Sequence, residues 1–267
     1  DDGIEVARER GVGRGELEED VGRDGPVVAR DDHDVGLGVE EARRIVAEGR
    51  LGRLVGASLL WAARKPDPYF EAAWRRTAGG GPVLINLIHE IDMLRFLAGE
   101  IASVSGLASR AVRGFEVEDT AAAMLAFENG ALGTILCSDA AASPWTIEQG
   151  LGESPTFPYS GENAYRLVGT AGSLEFPVLR AWSHTDAARA DWTGPIAALP
   201  AKSFDRDPYV EQLRHLRAMI GGREAPLVSG ADGARTLAAT LAVHESARTH
   251  APVDLARDYA AIDSAEG

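Results

Sequence analysis

The chain has 267 residues, of which 45% are hydrophobic and 25% charged, and its formal net charge is −14. This composition is typical of a globular protein that buries a sizeable core, whereas an acidic surface repels phosphate backbones and argues against a nucleic-acid partner. No run reaches the roughly 18 apolar residues that cross a membrane, and no secretory signal is visible. We therefore expect a cytoplasmic protein without membrane or nucleic-acid partners.

Residues 1–38 are rich in Asp, Glu, Gly and Arg and show no hydrophobic period. Gly11–Gly15 is rich in glycine, but a dinucleotide-binding loop needs a buried strand before it, a helix after it and the full GxGxxG spacing. The charged residues that precede Gly11 do not form such a strand, so a loop or disorder is favoured. We predict an irregular N-terminal segment and hypothesise that it is an aberrant remnant, mistranslated or beyond a gene break.

An ordered domain is predicted over residues 39–257, followed by a tail over residues 258–267. Apolar residues at helical spacing predict a first helix over Val39–Gly49, where the glycine suits the C-terminal cap. The apolar run Arg50–Trp61 predicts a buried strand directly after it.

The next segment carries the clearest pattern. Three glycines, Gly79–Gly81, precede Pro82–Ala98, which is apolar almost all round and therefore has the pattern of a buried helix. At ~100° per residue, Asn86, His89 and Asp92 fall within a third of the helix circumference. The sequence thus predicts a buried helix with one narrow polar stripe.

Beyond this helix the hydrophobic period changes to two, which is typical of strands. Short turns at Glu128–Gly130 and Gly169–Gly172 join consecutive strands and predict an antiparallel or mixed sheet. Cys137, the single cysteine, lies in one of these strands and is expected to be a small buried hydrophobic residue. Two helices follow, giving an α+β fold. The predicted strands are Ile101–Val112, Val117–Glu128, Ala131–Ala140, Tyr165–Gly169, Ser173–Phe176 and Leu179–Ser183; the helices are Pro208–Ile220 and Gly230–Ala247, with short terminal strands at 226–228 and 252–255.

The order of these elements and the motifs Gly79–Asp92, Glu116–Thr134 and Arg166–Glu175 resemble the C-terminal domain of the Gfo/Idh/MocA oxidoreductases, from about Gly38 to Leu255. The resemblance implies an open-faced sheet with helices packed on one face, preceded in the family by a Rossmann domain that is largely missing here. It also implies an NAD- or NADP-dependent oxidoreductase that acts on a hydroxyl of a sugar, inositol or related polyol. Family sheets pair face to face, so a homo-oligomer is expected.

The resemblance also assigns the predicted catalytic residue. The histidine of the long helix, here His89, faces the substrate in the family, and imidazole titrates near neutral pH, as a base for a hydroxyl proton must. Many family members have an Asp four residues earlier, where this chain has Ile85, with Asn86 one residue later. Asn86 either binds a substrate hydroxyl or caps a neighbouring backbone. Asp92 either orients His89 or forms a structural ion pair with an arginine such as Arg95, and the ion pair is favoured.

Further substrate-binding candidates lie outside the helix. Trp61, Arg64, Lys65 and Tyr69 follow the first sheet strand, where an aromatic face and cations either hold a polyol or acidic sugar or are ordinary surface residues. Asn163 and Tyr165 follow a loop that is positioned to cover the site. The family's catalytic lysine lies in a Glu-Lys-Pro motif that is absent here, and Lys65 is not assigned its role.

Histidine spacing predicts no metal site, and no serine has the Gly-x-Ser-x-Gly setting of a hydrolase. Because no residues obviously bind a dinucleotide, two alternatives to an enzyme stay open. The chain is either a non-catalytic sheet module for self-association or a sugar-binding protein without redox activity.

Overall fold

The computed structural model describes residues 38–152, 155–200 and 208–266, and the predicted irregular segment 1–38 lies almost wholly outside them. The described strands are β1 (Leu54–Ala62), β2 (Ile101–Ser109), β3 (Thr120–Phe127), β4 (Leu132–Ser138), β5 (Tyr165–Gly169), β6 (Gly172–Phe176), β7 (Arg180–His184), β8 (Ile196–Pro200) and β9 (Val253–Asp254). The described helices are α1 (Gly38–Ala47), α2 (Ile88–Ala98), α3 (Ile147–Leu151), α4 (Pro208–Ile220), α5 (Gly230–Thr249) and α6 (Ala256–Glu266).

The strands form one mixed sheet in the order β8-β7-β6-β5-β1-β4-β3-β2-β9. Neighbouring strands run antiparallel except at the centre, where β1 and β4 are parallel and pair from Gly56 and Leu132 to Ala62 and Ser138. The parallel pair arises because the chain leaves β1, forms α2 and the β2–β3 hairpin, and only then returns as β4. The predicted α+β fold with a mixed sheet is confirmed.

One face of the sheet is covered by helices and the other is open. Alternate residues of β1, such as Leu59 and Trp61, point into the core beneath the helices. Helix α5 approaches β2 so closely that a Cβ on Gly106 would lie 2.7 Å from the carbonyl oxygen of Val243. The residues of the opposite parity face outward and are strongly exposed although apolar: Leu107 65%, Met124 64% and Leu132 66%.

Helices α2 and α5 are joined by the buried guanidinium of Arg95. It donates two parallel hydrogen bonds to Glu100, of 3.0 and 2.8 Å, and a third of 2.9 Å to Asp232 on α5. A fourth, of 2.5 Å, reaches Thr236, whose hydroxyl in turn donates to Asp92 at 2.6 Å. Asp92 therefore belongs to this interhelical network and lies 3.7 Å from Arg95, the alternative that the sequence favoured.

Several local predictions differ from the structure. The helix predicted over 82–98 begins with a π-helical turn, Val83–Leu87, before α2. Strand β8 is absent from the predicted strands, whereas residues 226–228, predicted as a strand, form none. The predicted tail lies largely in α6, because Tyr259 is buried and Ile262 packs against the core.

Replacing Arg95 with Ala is expected to lower the free energy of unfolding by about 3 kcal/mol, because it removes a buried side chain whose charge-assisted hydrogen bonds to Glu100, Asp232 and Thr236 join the two helices. Urea unfolding followed by circular dichroism measures the loss. Arg248→Ala is the control, since Arg248 is exposed and its pair with Glu245 is worth less than about 1 kcal/mol. Equal losses in the two variants would contradict the structural role of Arg95.

Candidate functional site

The glycines before the π-helical turn permit a backbone approach that no other residue allows. A Cβ on Gly80 would lie 2.3 Å from the carbonyl oxygen of Trp74, and a Cβ on Gly81 would lie 2.4 Å from a carboxylate oxygen of Glu118. Both distances are shorter than van der Waals contact. The start of the helix is therefore packed directly against the segments that contain Trp74 and Glu118.

The π-helical turn sets which side chain faces the first strand. Its i→i+5 hydrogen bonding holds one more residue per turn than an α-helix and so shifts the phase of the residues before it. Asn86 lies in this turn, half-buried, and its Oδ1 accepts a 2.7 Å hydrogen bond from Lys65 Nζ. His89 follows on the first turn of α2 and is exposed. The residues of the predicted stripe are thus in place, but its middle member, His89, is exposed.

Lys65 is held by an ion pair beneath the site. Its backbone N–H donates to the carbonyl of Asp139, and its Nζ lies 3.6 Å from Asp139 Oδ2. Arg113 donates to the same carboxylate at 3.2 Å, so one acid, only 1% exposed, serves two cations. Burial lowers the pKa of Lys65, while burial raises the pKa of Asp139, and each group opposes the shift of the other. Because Asp139 faces Lys65 at 3.6 Å and Arg113 at 3.2 Å, the arrangement favours a charged Lys65–Asp139 pair.

Tyr69 adds an aromatic face to the same place. Its half-buried ring has Lys65 Nζ 4.7 Å from the ring centroid and the guanidinium carbon of Arg75 at 3.8 Å. Both distances lie within the range of a cation–π interaction. Three of the predicted residues, Lys65, Tyr69 and Asn86, are therefore in contact through Lys65, and His89 follows Asn86 by three residues along the chain.

The remaining predicted residues lie elsewhere. Trp61 is 3% exposed and belongs to the core, because strand alternation turns it toward α2 rather than toward a surface. Asn163 is buried, and its Oδ1 accepts a 2.6 Å hydrogen bond from the backbone of Val178, a structural role. Tyr165 is fully buried against Phe176. Arg64 is exposed and borders a depression of about 320 Å³ that Arg113 also lines.

Comparison with known proteins places this chain in a family. The profile of the GFO/IDH/MocA C-terminal domain matches residues 39–175, which is half of the chain. This chain belongs to the Gfo/Idh/MocA family.

Two curated relatives of this Gfo/Idh/MocA chain are D-apiose dehydrogenase from Paraburkholderia graminis and 1,5-anhydro-D-fructose reductase from Ensifer adhaerens. The first is 29% identical over 63% of this chain and 43% of its own length; the second is 26% identical over 78% and 57%. The chain therefore spans about half the length of the curated relatives it matches.

Solved structures show the same fold at lower identity. The aldose-aldose oxidoreductase of Caulobacter crescentus, in complex with glycerol, has a TM-score of 0.61 at 24% identity, covering 84% of this chain and 64% of its own. The WlbA dehydrogenase of Bordetella pertussis, in complex with NADH and UDP-GlcNAcA, has a TM-score of 0.60 at 21% identity, with coverages of 82% and 60%. The predicted family and fold class are confirmed.

Sequence reasoning missed Arg75, Arg113 and Asp139. The available signal for Asp139 was its position directly after a strand, as Lys65 follows another, since the carboxyl ends of parallel strands meet at one edge. That signal requires the knowledge that β1 and β4 are parallel neighbours. Within the described ranges no group of three or more His, Cys, Asp or Glu side chains is arranged to hold a metal, and no helix is long and apolar enough to cross a membrane.

Glu90, the residue after His89, faces inward where His89 faces outward. It is 3% exposed, and its Oε2 has no hydrogen-bond partner among the described residues. Burial, reinforced by the neighbouring Glu148 carboxylate, raises the pKa of Glu90 well above its usual value. The folded protein therefore holds a proton on Glu90 at pH values where the unfolded chain releases it.

Replacing Glu90 with Gln is expected to stabilise the protein increasingly as pH rises. Because the folded-state pKa is raised, the wild type keeps its full stability below about pH 4.3 and loses up to ~1.4 kcal/mol per pH unit above it, until the folded-state pKa is passed. Gln has no proton to release, so the difference between variant and wild type grows with pH. Urea unfolding at pH 5, 6, 7 and 8 measures it.

Glu162→Gln is the control, because Glu162 is exposed and its substitution should leave the pH dependence of stability unchanged. A difference between Glu90→Gln and wild type that stays constant from pH 5 to pH 8 would contradict the protonated state of Glu90.

Proposed function

We propose that this chain is the substrate-binding part of an NAD- or NADP-dependent oxidoreductase that acts on a hydroxyl group of a sugar, inositol or related polyol. The observation that carries the proposal is an exposed His89, three residues after the Asn86 that accepts from Lys65, in the segment that the family profile matches. The names of the relatives support the substrate class, since one is a D-apiose dehydrogenase and another a 1,5-anhydro-D-fructose reductase.

Each side chain of the site has a separate task in this proposal. The imidazole of His89 accepts the proton of the substrate hydroxyl as the carbon that bears it gives up a hydride. Asn86 accepts from Lys65 through Oδ1, which leaves its amide protons to donate to a neighbouring hydroxyl. Lys65 has three N–H donors and is fixed by Asp139, so it orients Asn86 and retains a donor for the substrate.

The described residues do not fit the phosphates of a dinucleotide. The glycines Gly79–Gly81 precede a helix, but no strand leads into them. The carboxylate of Glu118 already accepts a 3.2 Å hydrogen bond from the backbone of Val83 at the helix start, where a phosphate would bind. The family's cofactor would supply the hydride acceptor when bound, and we assign its binding to a segment other than residues 38–152, 155–200 and 208–266.

His89→Asn is expected to weaken binding of the preferred sugar or polyol at least about tenfold, since one hydrogen bond to a charged or polar ligand group is worth roughly 1.5 kcal/mol. Thermal shift over a panel of sugars, inositols and polyols, with and without NADH or NADPH, measures binding by the intact chain. At 100 times its dissociation constant a ligand adds about 2.7 kcal/mol of stability, a shift that is readily detected.

His250→Asn is the matched control, because His250 is exposed and its left-handed backbone conformation (φ 56°) is one that Asn tolerates. Its shifts should equal those of the wild type. A panel without any stabilising sugar or polyol, or one whose shifts His89→Asn leaves unchanged, would contradict the proposed function.

A second function, self-association through the open sheet face, is supported by the apolar residues exposed there. Leu107, Met124, Leu132 and Leu136 lie on neighbouring strands β2, β3 and β4 and face the same side of the sheet. A contiguous exposed apolar surface of this kind is typical of a protein–protein interface. The occupant we propose is a second copy of the same face, because a flat surface that pairs with itself closes a two-fold dimer.

Met124→Lys is expected to shift the chain toward monomer, because a paired face would bury the ammonium group without a partner. Sedimentation velocity at micromolar concentration measures the shift. Leu227→Lys is the control, since Leu227 is equally apolar and 81% exposed but lies outside the sheet. A wild type that sediments as a monomer up to about 100 μM, a concentration corresponding to roughly −5.5 kcal/mol, would refute self-association.

A further inference from the structure

The depression of about 320 Å³ that Arg64 borders is formed by three segments of the chain that lie far apart in the sequence. They are the residues after β1, the connection between β2 and β3, and the residue pair after β4. Two arginines and one aromatic residue thus border the same cavity. Its lining residues are Arg64, Asp67, Val112, Arg113, Phe115 and Ala140.

Arg113 is held in this wall by one edge of its guanidinium. Its Nε donates to a carboxylate oxygen of Asp139 at 3.2 Å, and its Nη2 donates to the backbone carbonyls of Lys65 and Asp139 at 2.9 and 2.6 Å. The guanidinium also lies over the ring of Phe70, 4.1 Å from the ring centroid. The side chain is only 10% exposed, so protein contacts alone fix its position.

The third nitrogen of Arg113, Nη1, remains available to a ligand. Within residues 38–152, 155–200 and 208–266 it forms no hydrogen bond, and it is not among the polar atoms that are buried there without a partner. The carboxylate of Asp67 lies 3.9 Å from it, beyond hydrogen-bond distance, on a side chain that is 88% exposed. An oxyanion can therefore approach Nη1 from the solvent side.

Arg64 adds a second guanidinium to the same depression. It is exposed and has no hydrogen bond, ion pair or ring contact with the part of the chain that the structure describes. Other exposed arginines differ, since Arg214 and Arg248 each pair with a glutamate on their own helix. Guanidinium groups donate charge-assisted hydrogen bonds to carboxylates and phosphates alike. Arg64 is thus free to close on an anion that Arg113 holds.

The local charge favours an anion although the chain as a whole is acidic. Three cations, Arg64, Arg113 and Lys65, lie at or beside the depression, and two carboxylates, those of Asp139 and Asp67, oppose them. One positive charge is left in excess, and the exposure of Asp67 weakens its share of the opposition. The net charge of −14 acts over longer distances, which salt screens beyond about 8 Å at physiological ionic strength.

The remaining walls of the depression are apolar. Phe115 is half-buried with its ring 5.2 Å from that of Phe70, and Val112 is 70% exposed. These side chains offer a surface to an organic group but none of the donors that a bare inorganic ion requires. The volume lies at the lower end of the range for small-molecule sites. The walls therefore suit an anion carried on a small organic molecule.

We propose that this depression binds a small organic oxyanion, whose anionic group accepts hydrogen bonds from Arg113 Nη1 and Arg64 while its apolar part lies against Val112 and Phe115. The site is distinct from the proposed sugar site, because Asp139 separates them: its Oδ1 faces Arg113 and its Oδ2 faces Lys65. The proposal thus goes beyond the proposed function and does not depend on it. Carboxylates and phosphate esters share the chemistry that it requires.

The test is isothermal titration calorimetry of the intact chain with benzoate, phenyl phosphate, inorganic phosphate and the neutral benzyl alcohol. Benzoate or phenyl phosphate is expected to bind at least about tenfold more tightly than benzyl alcohol, since a charge-assisted hydrogen bond contributes that factor or more. The tighter of the two anions identifies a carboxylate or a phosphate ester as the natural class. Inorganic phosphate should bind more weakly than phenyl phosphate, because it leaves the apolar walls uncovered.

Two substitutions should change the affinity for the tighter anion in opposite directions. Arg64→Gln is expected to weaken binding about fivefold, as the loss of an exposed charge pair does. Asp67→Asn should strengthen it by a similar factor, because it removes the carboxylate beside Nη1. Opposite changes cannot arise from a folding defect. The matched controls are Arg110→Gln and Glu116→Gln, since both residues are exposed and border a different cavity.

Equal affinities for benzyl alcohol and for both organic anions, or no binding of either anion, would overturn the proposal. So would an Arg64→Gln variant that binds like the wild type, or an Arg110→Gln variant that loses as much affinity. An Asp67→Asn variant without a gain in affinity would overturn the role of Arg113 Nη1. Inorganic phosphate that binds as tightly as phenyl phosphate would overturn the organic part of the ligand.

Discussion

The buried carboxylate of Asp139 is the interaction on which the arrangement of this site depends. It lies at the carboxyl ends of the parallel strands β1 and β4, where it faces Lys65 and Arg113 at 3.6 and 3.2 Å. Lys65 extends from it to Asn86 and so reaches the helix of His89. Arg113 extends the other way and stacks over Phe70 at 4.1 Å. A single acid thus links the sheet, the long helix and the 3₁₀ segment Asp67–Glu71, which carries Tyr69 and Phe70.

The two surfaces of the sheet differ in what covers them. The helix-covered face supports His89 and its polar neighbours, whereas the open face presents leucine and methionine side chains to solvent. Because side chains alternate across a strand, the same strands β2 to β4 supply both the core beneath the helices and the open face. The proposed substrate binding and the proposed self-association therefore involve different residues, and substitutions can address each alone.

Much of the fold follows from the sequence because hydrophobic period and turn residues are local signals. The strands around Glu128–Gly130 and Gly169–Gly172 and the long helices appear where these signals predict them. The parallel pairing of β1 with β4 is not local, since about 70 residues separate the strands, and it determines that Lys65 and Asp139 meet. The π-helical turn also escaped prediction, because glycine spacing and apolar residues do not distinguish it from an α-helix. An aromatic residue type suggested that Trp61 lines a ligand surface, but the alternation of side chains along β1 turns it into the core.

The π-helical turn determines which side chain of the helix meets Lys65. Because the turn holds one additional residue, the side chain that meets Lys65 is that of residue 86 and not that of residue 85. The residues of α2 that follow the turn pack against α5. Ile85 is half-buried here, and Asn86 contacts the lysine. The lysine next to the buried acid thereby meets an uncharged amide rather than an aliphatic side chain. Deleting one residue from this turn would rotate the residues before α2 by roughly 100° and would take Asn86 away from Lys65.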